Sequence, residues 1–398
     1  MTAEAGTQAL LPLPRGRERV LNMTTGPVEV SPAVAAAQLA PLFTPHVGAF
    51  WQVHDETVAA LKRVLKTRHY AFPLHGSIRT SLDVALANMV RPGARVLAVE
   101  NGYWGRLIGE WAALYGAEVA WVRGTPLAPI DPDAVAAALR SDPGIDLVSI
   151  VHVETSSGVV NPIAAIGRAV REHGALYYVD AACSAGAMPY DTDGWHVDIG
   201  VTGSHKCLAS VPGLAVLTLS DRAYTRLTKG EVRPRSNYFD LRRWIATTLE
   251  RVETPPFTQP TGLILALLAA LREIEARGEG RFAAHRDMAD RFMGGVRAAG
   301  LGMVLDRGPA HNDREAYSDT VMAVEYPQGT TDAAFRGALF EDHGIAVIGN
   351  IGEFAGRSFR VGLMSAPQLE PKAVQTTLDA IGAVSRAPRR PGKQRERP

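Results

Sequence analysis

Short apolar runs alternate with segments of helical spacing through the first two-thirds of the chain. Residues 95–100, 118–122, 146–153, 176–180, 199–203 and 214–220 are dominated by apolar side chains, and each run predicts a strand. Between them, 104–115, 132–139 and 162–173 carry apolar residues at helical intervals. Two of these helices open on Asp131-Pro132 and Asn161-Pro162, a capping side chain with proline at the first helical position. Ser31-Pro32 opens an earlier helix in the same way, and 54–68 is amphipathic at helical period. Strands that are apolar along their length and alternate with helices imply an α/β domain around a mainly parallel, buried central sheet flanked by helices.

The rhythm changes near residue 260. Two long helical segments, 261–276 and 281–299, precede strand-like runs at 320–326, 346–348 and 358–363, with helices near 331–343 and 370–384. The expected organisation is an N-terminal arm over 1–20, a large α/β domain over 21–260, a smaller C-terminal α+β domain over 261–385 and a tail over 386–398. No internal repeat interrupts this plan.

Composition narrows the class. At 398 residues, with 46% hydrophobic and 21% charged positions, the chain can bury a large core. The net charge of +1 hides an uneven distribution. The tail holds six basic side chains and one acidic, which leaves 36 basic against 40 acidic residues in the body. A short basic, proline-rich end reads as a disordered, solvated tail, and the body presents no basic face for nucleic acid. No apolar run reaches the roughly 18 residues of a membrane span, and 10–13 is too short for a signal-peptide core. Two cysteines, Cys183 and Cys207, cannot make a disulfide framework, so a reducing, cytoplasmic location is expected.

Reactive residues in open α/β sheets gather at the carboxyl ends of the strands. Of six lysines, Lys62 and Lys66 sit one turn apart on an amphipathic helix, Lys229 is in a Lys-Gly turn, Lys372 begins a helix and Lys393 is in the tail. Lys206 alone directly follows an apolar strand, with no carboxylate near it in sequence. Burial there disfavours the ammonium, and a neutral amine is what Schiff-base chemistry needs; a snorkelling or distantly paired lysine is the structural alternative. Asp180 closes the preceding strand, where a carboxylate could keep a pyridinium nitrogen protonated, cap a helix or bind a metal. The loop from His75 to Thr80 leads into a helical run over 81–89, and backbone amides at such a start suit a phosphate. Trp104, and less well Tyr103, could stack on a planar ring or simply pack in the core.

Taken in order, Thr25-Gly26-Pro27, His75-Gly76-Ser77, Asn101-Gly102-Tyr103-Trp104-Gly105, Glu154-Thr155-Ser156-Ser157-Gly158, Asp180, Thr202 to Cys207, Pro212-Gly213 and Phe359 to Leu363 resemble one family. That family is the class V branch of the fold-type-I pyridoxal-phosphate enzymes, and within it the alanine–glyoxylate and serine–pyruvate aminotransferase group. The resemblance runs from about Thr24 to about Ala383 and implies pyridoxal 5'-phosphate as cofactor, small amino- and keto-acid substrates, and ping-pong transfer. It implies that Lys206 forms the Schiff base and shuttles a proton, that Asp180 pairs with the ring nitrogen, that Trp104 stacks on the ring and that Thr155 lies beside its 3-hydroxyl. Ser77, Ile78 and Arg79 would serve the phosphate with His205 nearby, and Thr258 would reach the phosphate of a neighbouring subunit in a homodimer. Arg360 would clamp the substrate carboxylate, helped by backbone at Gly26. No metal role is implied for any residue.

The chain departs from the family pattern at His205, where glutamine or asparagine is usual, and at Gly76-Ser77-Ile78-Arg79, where a Gly-Ser-Gly style of loop is common. Several stretches, among them Leu74-His75-Gly76 and Ser157 to Ile163, also resemble pyridoxamine–pyruvate aminotransferase. That pattern has an acidic residue where Ser77 stands and an arginine where Ile351 stands, so it ranks second. A cysteine desulfurase or lyase would need an accessible nucleophilic thiolate, and neither Cys183 nor Cys207 sits on a loop expected to be mobile. A nicotinamide enzyme would need a glycine fingerprint that Gly102 and Gly105 do not provide. A cofactor-binding regulator would need an added DNA-binding module, and arm and tail are too short for one.

Overall fold

Seven apolar strands build one sheet: β1 (Tyr70–His75), β2 (Arg95–Glu100), β3 (Glu118–Arg123), β4 (Ile145–Val151), β5 (Leu176–Asp180), β6 (Ile199–Gly203) and β7 (Leu214–Leu219), in the order β1-β7-β6-β5-β4-β2-β3. The computed structural model describes residues 13–14, 19–40, 44, 46–230, 232–251 and 257–387. The expected arm and tail lie almost wholly outside these residues. β7 runs antiparallel to both neighbours, while the remaining pairings are parallel. Every residue of β5, β6 and β7 is buried, as strands covered on both faces require. The fold is α/β, with its apolar core in two layers on either side of the sheet.

β1 escapes the sequence pattern because Pro73 stands in its middle. It lies at the edge of the sheet, paired only with β7, where a missing backbone N–H leaves no ladder bond broken. The predicted strand 146–153 splits in two. Ile145–Val151 stays in the sheet, and Val153–Glu154 turns away to pair with Val159–Val160. Helix Ile78–Met89 starts three residues earlier than expected, directly after Ser77.

A second, antiparallel sheet of β8 (Val321–Glu325), β9 (Ile348–Gly349) and β10 (Ser358–Gly362), in the order β8-β10-β9, carries a separate core with helices Gly280–Ala298, Asp332–His343 and Pro371–Arg386. The expected boundary at 260 falls before helix Thr261–Arg277. That helix buries Ile264, Leu267, Leu268, Leu271 and Ile274 in the core of the large sheet, so small-domain packing begins after it. At the other end Leu21–Asn22 pairs with Ile345–Ala346, and Met23 joins the small core. No helix among the described residues is long and apolar enough to cross a membrane.

Candidate active site

Parallel pairing of β5 with β6 brings Asp180 opposite Val201, so Asp180 and the Ser204-His205-Lys206 turn leave the sheet at the same edge. Lys206 is half-buried, and its Nζ donates to the Thr25 carbonyl at 2.9 Å. The segment carrying Thr25 continues through Gly26, whose φ of +118° is a left-handed conformation that glycine tolerates. A side chain there would also come within 3.1 Å of Lys206 Cδ, so Gly26 lies against the lysine stem. Asp180 is 4% exposed and its Oδ1 accepts from Ala182 N–H at 2.9 Å; Oδ2 takes no hydrogen bond among the described residues. Burial pushes this carboxyl up to about 6, against the opposing pull of Ala182 N–H and Lys206.

Ser77 stands at the N-cap of the twelve-residue helix Ile78–Met89, and its side chain caps nothing. Thr80 N–H donates to Ser77 O at 2.8 Å, while the N–H groups of Ile78 and Arg79 take no partner among the described residues. Gly76 before it has φ +122°, and a Cβ would meet Thr80 Oγ1 at 2.1 Å, so the turn excludes a side chain. Ser77 and Arg79 are exposed and Ile78 is buried. Close by, beside Gly203 and Ile78, lies the His205 ring, 8% exposed, with Nδ1 buried and unpartnered. Burial, helped by Lys206, pushes its pKa down to about 4, so the ring is neutral near pH 7.

Trp104 is half-buried in the first turn of helix Tyr103–Leu114, with the Arg79 guanidinium 5.1 Å from its ring centroid. Its backbone N–H donates to Glu154 Oε2 at 2.9 Å. Glu154 is fully buried and takes three further bonds, from Gly105 N–H and from Ser156 N–H and Oγ. Burial pushes its carboxyl up, and these donors oppose that shift. Thr155, next in sequence, has Oγ1 at 3.2 Å from Cys183 Sγ, which is itself 3.9 Å from Lys206 Nζ. Glu154 and Cys183 are thus part of the site although neither is a candidate in the sequence reading. The small-residue run after Asp180 was the available signal for Cys183; Glu154 opens one of the motifs of the resemblance, but its role was not marked, since its partners are mostly backbone amides. Burial pushes both Cys183 and Cys207 thiols up, away from the accessible thiolate that a desulfurase needs.

Arg360, in β10, is 5% exposed. Its Nη2 donates to Gly349 O at 2.8 Å, its Nε is buried without a partner, and no carboxylate forms an ion pair with it among the described residues. Burial lowers its pKa, while Cys183 and Glu154 act in the opposite direction. Thr258 is exposed and outside this group of contacts; its neighbours Phe257 and Gln259 pack on Tyr238 and Trp244 and bond to His75.

An amine, a buried carboxylate with an open oxygen, an uncapped helix start and an orphaned imidazole nitrogen match what a phosphorylated pyridine aldehyde requires. The aminotransferase class-V family model matches residues 74–295. The chain is 31% identical over 375 residues to pyridoxamine–pyruvate transaminase of Mesorhizobium japonicum, covering 94% of this chain and 93% of that one. It is 31% identical over 363 residues to (S)-ureidoglycine–glyoxylate transaminase of Bacillus subtilis, covering 86% and 85%. A crystal structure of alanine–glyoxylate aminotransferase from Nostoc sp. superposes with a TM-score of 0.86 at 28% identity, covering 97% of this chain and all of that one. The chain belongs to the class V aminotransferase family. It is a fold-type-I, pyridoxal-phosphate-dependent aminotransferase.

Proposed function

We propose that this aminotransferase moves the amino group of a small α-amino acid, of alanine or serine type, to glyoxylate or pyruvate in two ping-pong half-reactions. The observation that carries this reading is Arg360, a buried guanidinium with an orphaned Nε and no acid paired with it among the described residues. Such a group suits the one charge that small amino and keto acids share, the carboxylate. The relatives named for glyoxylate or pyruvate support the acceptor class.

When bound, pyridoxal phosphate supplies the carbonyl that takes up the amino group and the ring that draws electrons from Cα. Around it, Asp180 would hold a proton at the ring nitrogen, Trp104 would cover one ring face and Thr155 Oγ1 would face the 3-hydroxyl. Ser77, Ile78 and Arg79, with His205 Nδ1, would donate to the phosphate. Lys206 Nζ is the group to anchor the cofactor, to take a proton from substrate Cα and to return one. Arg360, with backbone at Gly26, would turn the substrate so that its Cα hydrogen faces that amine. Thr258 would complete the phosphate site of the partner subunit in a homodimer, in keeping with its exposure. Two domains meeting at this cluster, and a cytoplasmic location in keeping with two buried free thiols, belong to the same proposal.

The visible spectrum tests it directly. L-alanine or L-serine should bleach the band of the bound cofactor, and glyoxylate or pyruvate should restore it. Bleaching by pyridoxamine alone, with pyridoxal released after pyruvate, would favour the second reading, which the Mesorhizobium relative supports. Failure of every amine to change the spectrum would end both.

A further inference from the structure

β9 and β10 form a hairpin, and the residue that follows β9 is Asn350, 8% exposed. Its Oδ1 accepts from the next N–H, of Ile351, at 2.8 Å, which closes the local turn. The turn needs nothing more from this side chain, yet both protons of Nδ2 are engaged. One goes to Ser358 Oγ at 2.8 Å within the hairpin, and the other to Ser156 O at 2.7 Å, 194 residues away on the large domain.

The two ends of this bridge are the two parts of the site that must keep their spacing. On the hairpin, the carbonyl of Gly349, immediately before Asn350, accepts from Arg360 Nη2, and Arg360 pairs with Ile348 in the same ladder. On the large domain, Ser156 N–H and Oγ donate to Glu154, which in turn holds Trp104 and Gly105 by their backbone N–H groups. A continuous hydrogen-bonded path therefore runs from the Trp104 turn through Glu154, Ser156 and Asn350 to the hairpin that carries Arg360. Other contacts join the domains, such as Ser318 N–H to Gly158 O, but that one ends away from the Arg360 hairpin.

We propose that Asn350 is a positioning residue that fixes the distance between the carboxylate clamp at Arg360 and the ring shelf at Trp104 and Thr155. It touches neither substrate nor cofactor in this role; it acts through Gly349 and Ser156. The inference rests on Arg360 being the clamp, so the test separates the two claims. Reacting atoms tolerate little displacement, and a shift of about 1 Å can reduce a rate on the order of a hundredfold.

The test compares half-reaction rates of the pyridoxal-phosphate-loaded enzyme with L-alanine and with ethylamine, which lacks the carboxylate, in wild type, Asn350→Ala, Asn350→Asp and Arg360→Ala. Both Asn350 variants lose the donor to Ser156, while aspartate keeps the acceptor for Ile351 N–H and hence the turn. The expected result is a loss on L-alanine on the order of tenfold to a hundredfold, an ethylamine rate within about twofold of wild type, and unchanged pyridoxal-phosphate affinity. Equal losses on both amines, or no loss on either, would overturn the positioning role. If Arg360→Ala keeps its preference for L-alanine over ethylamine, the clamp is what fails, and the bridge falls with it.

Discussion

Replacing Arg360 by methionine should separate stability from activity. The guanidinium is 5% exposed and has one hydrogen bond, to Gly349 O. Bonds from a charged donor contribute about 1.5–3 kcal/mol each, and a bidentate carboxylate would receive two. Loss of about 3–4 kcal/mol in substrate binding corresponds to a fall in kcat/KM of roughly a hundredfold to a thousandfold. Stability moves the other way. A buried charge without a counter-ion is destabilising by several kcal/mol, which offsets the lost bond to Gly349, and the unbranched methionine fills much of the vacated space. Steady-state kinetics with an amino and a keto acid, beside thermal melts of the cofactor-free protein, check both halves. The expected outcome is a large loss of kcat/KM with an apo-protein melting temperature equal to or above wild type. If Arg360→Met melts as low as a core truncation such as Phe359→Ala, the arginine is a structural residue and the clamp reading is refuted.

Lys206→Ala should abolish turnover and shift the visible band of the bound cofactor to that of the free aldehyde; full activity in this variant would remove the central assignment. The Asp180 carboxyl, raised to about 6 by burial, holds its proton more tightly in the folded apo-protein than in the unfolded chain. That is worth about 3 kcal/mol of folding stability, fully present below the unfolded pKa and lost as pH rises through about 6. A cationic ring nitrogen needs the carboxylate, so pyridoxal-phosphate affinity should weaken as pH falls below about 6, and fluorescence titrations of wild type against Asp180→Asn should show the difference only in wild type. Glu154→Gln should lower the unfolding free energy by about 1–3 kcal/mol in denaturant titrations, because one amide oxygen cannot serve donors on both sides; an unchanged midpoint would show that the carboxylate does not hold the Trp104 turn.

The sequence pattern revealed what depends on strand ends and hid what depends on distant backbone. Asp180 and Lys206 were legible because β5 and β6 are buried along their whole length, so a charged residue at the end of either is conspicuous. Glu154 was not, because its partners include the N–H groups of a helix fifty residues earlier, and amides leave no mark in the side-chain pattern. Asn350 was hidden for the same reason, its long-range acceptor being the Ser156 carbonyl. β1 was lost to Pro73, which only its edge position makes acceptable. The helix at Thr261–Arg277 was read correctly as a helix but assigned to the wrong core, since an apolar stripe states that a face is buried and not against what.

Two buried carboxylates at this site show how framework and function can be told apart. Asp180 ends β5 and Glu154 lies three residues beyond β4 of the same sheet, and burial raises both. Glu154 receives four donors, all from this chain, and is finished as it stands. Asp180 receives one and keeps an oxygen open. The same contrast separates two arginines of the small domain. Arg314 is bonded to Asp290, Asp319 and the Tyr317 carbonyl, whereas Arg360 has a single carbonyl and an orphaned Nε. A buried charge left short of partners destabilises the chain that carries it, so its persistence calls for a partner from outside. Asp180 would take a protonated ring nitrogen and Arg360 a carboxylate, two partners of opposite charge. That complementarity, rather than the presence of either residue alone, is what makes the site fit an amino acid held against a pyridine ring.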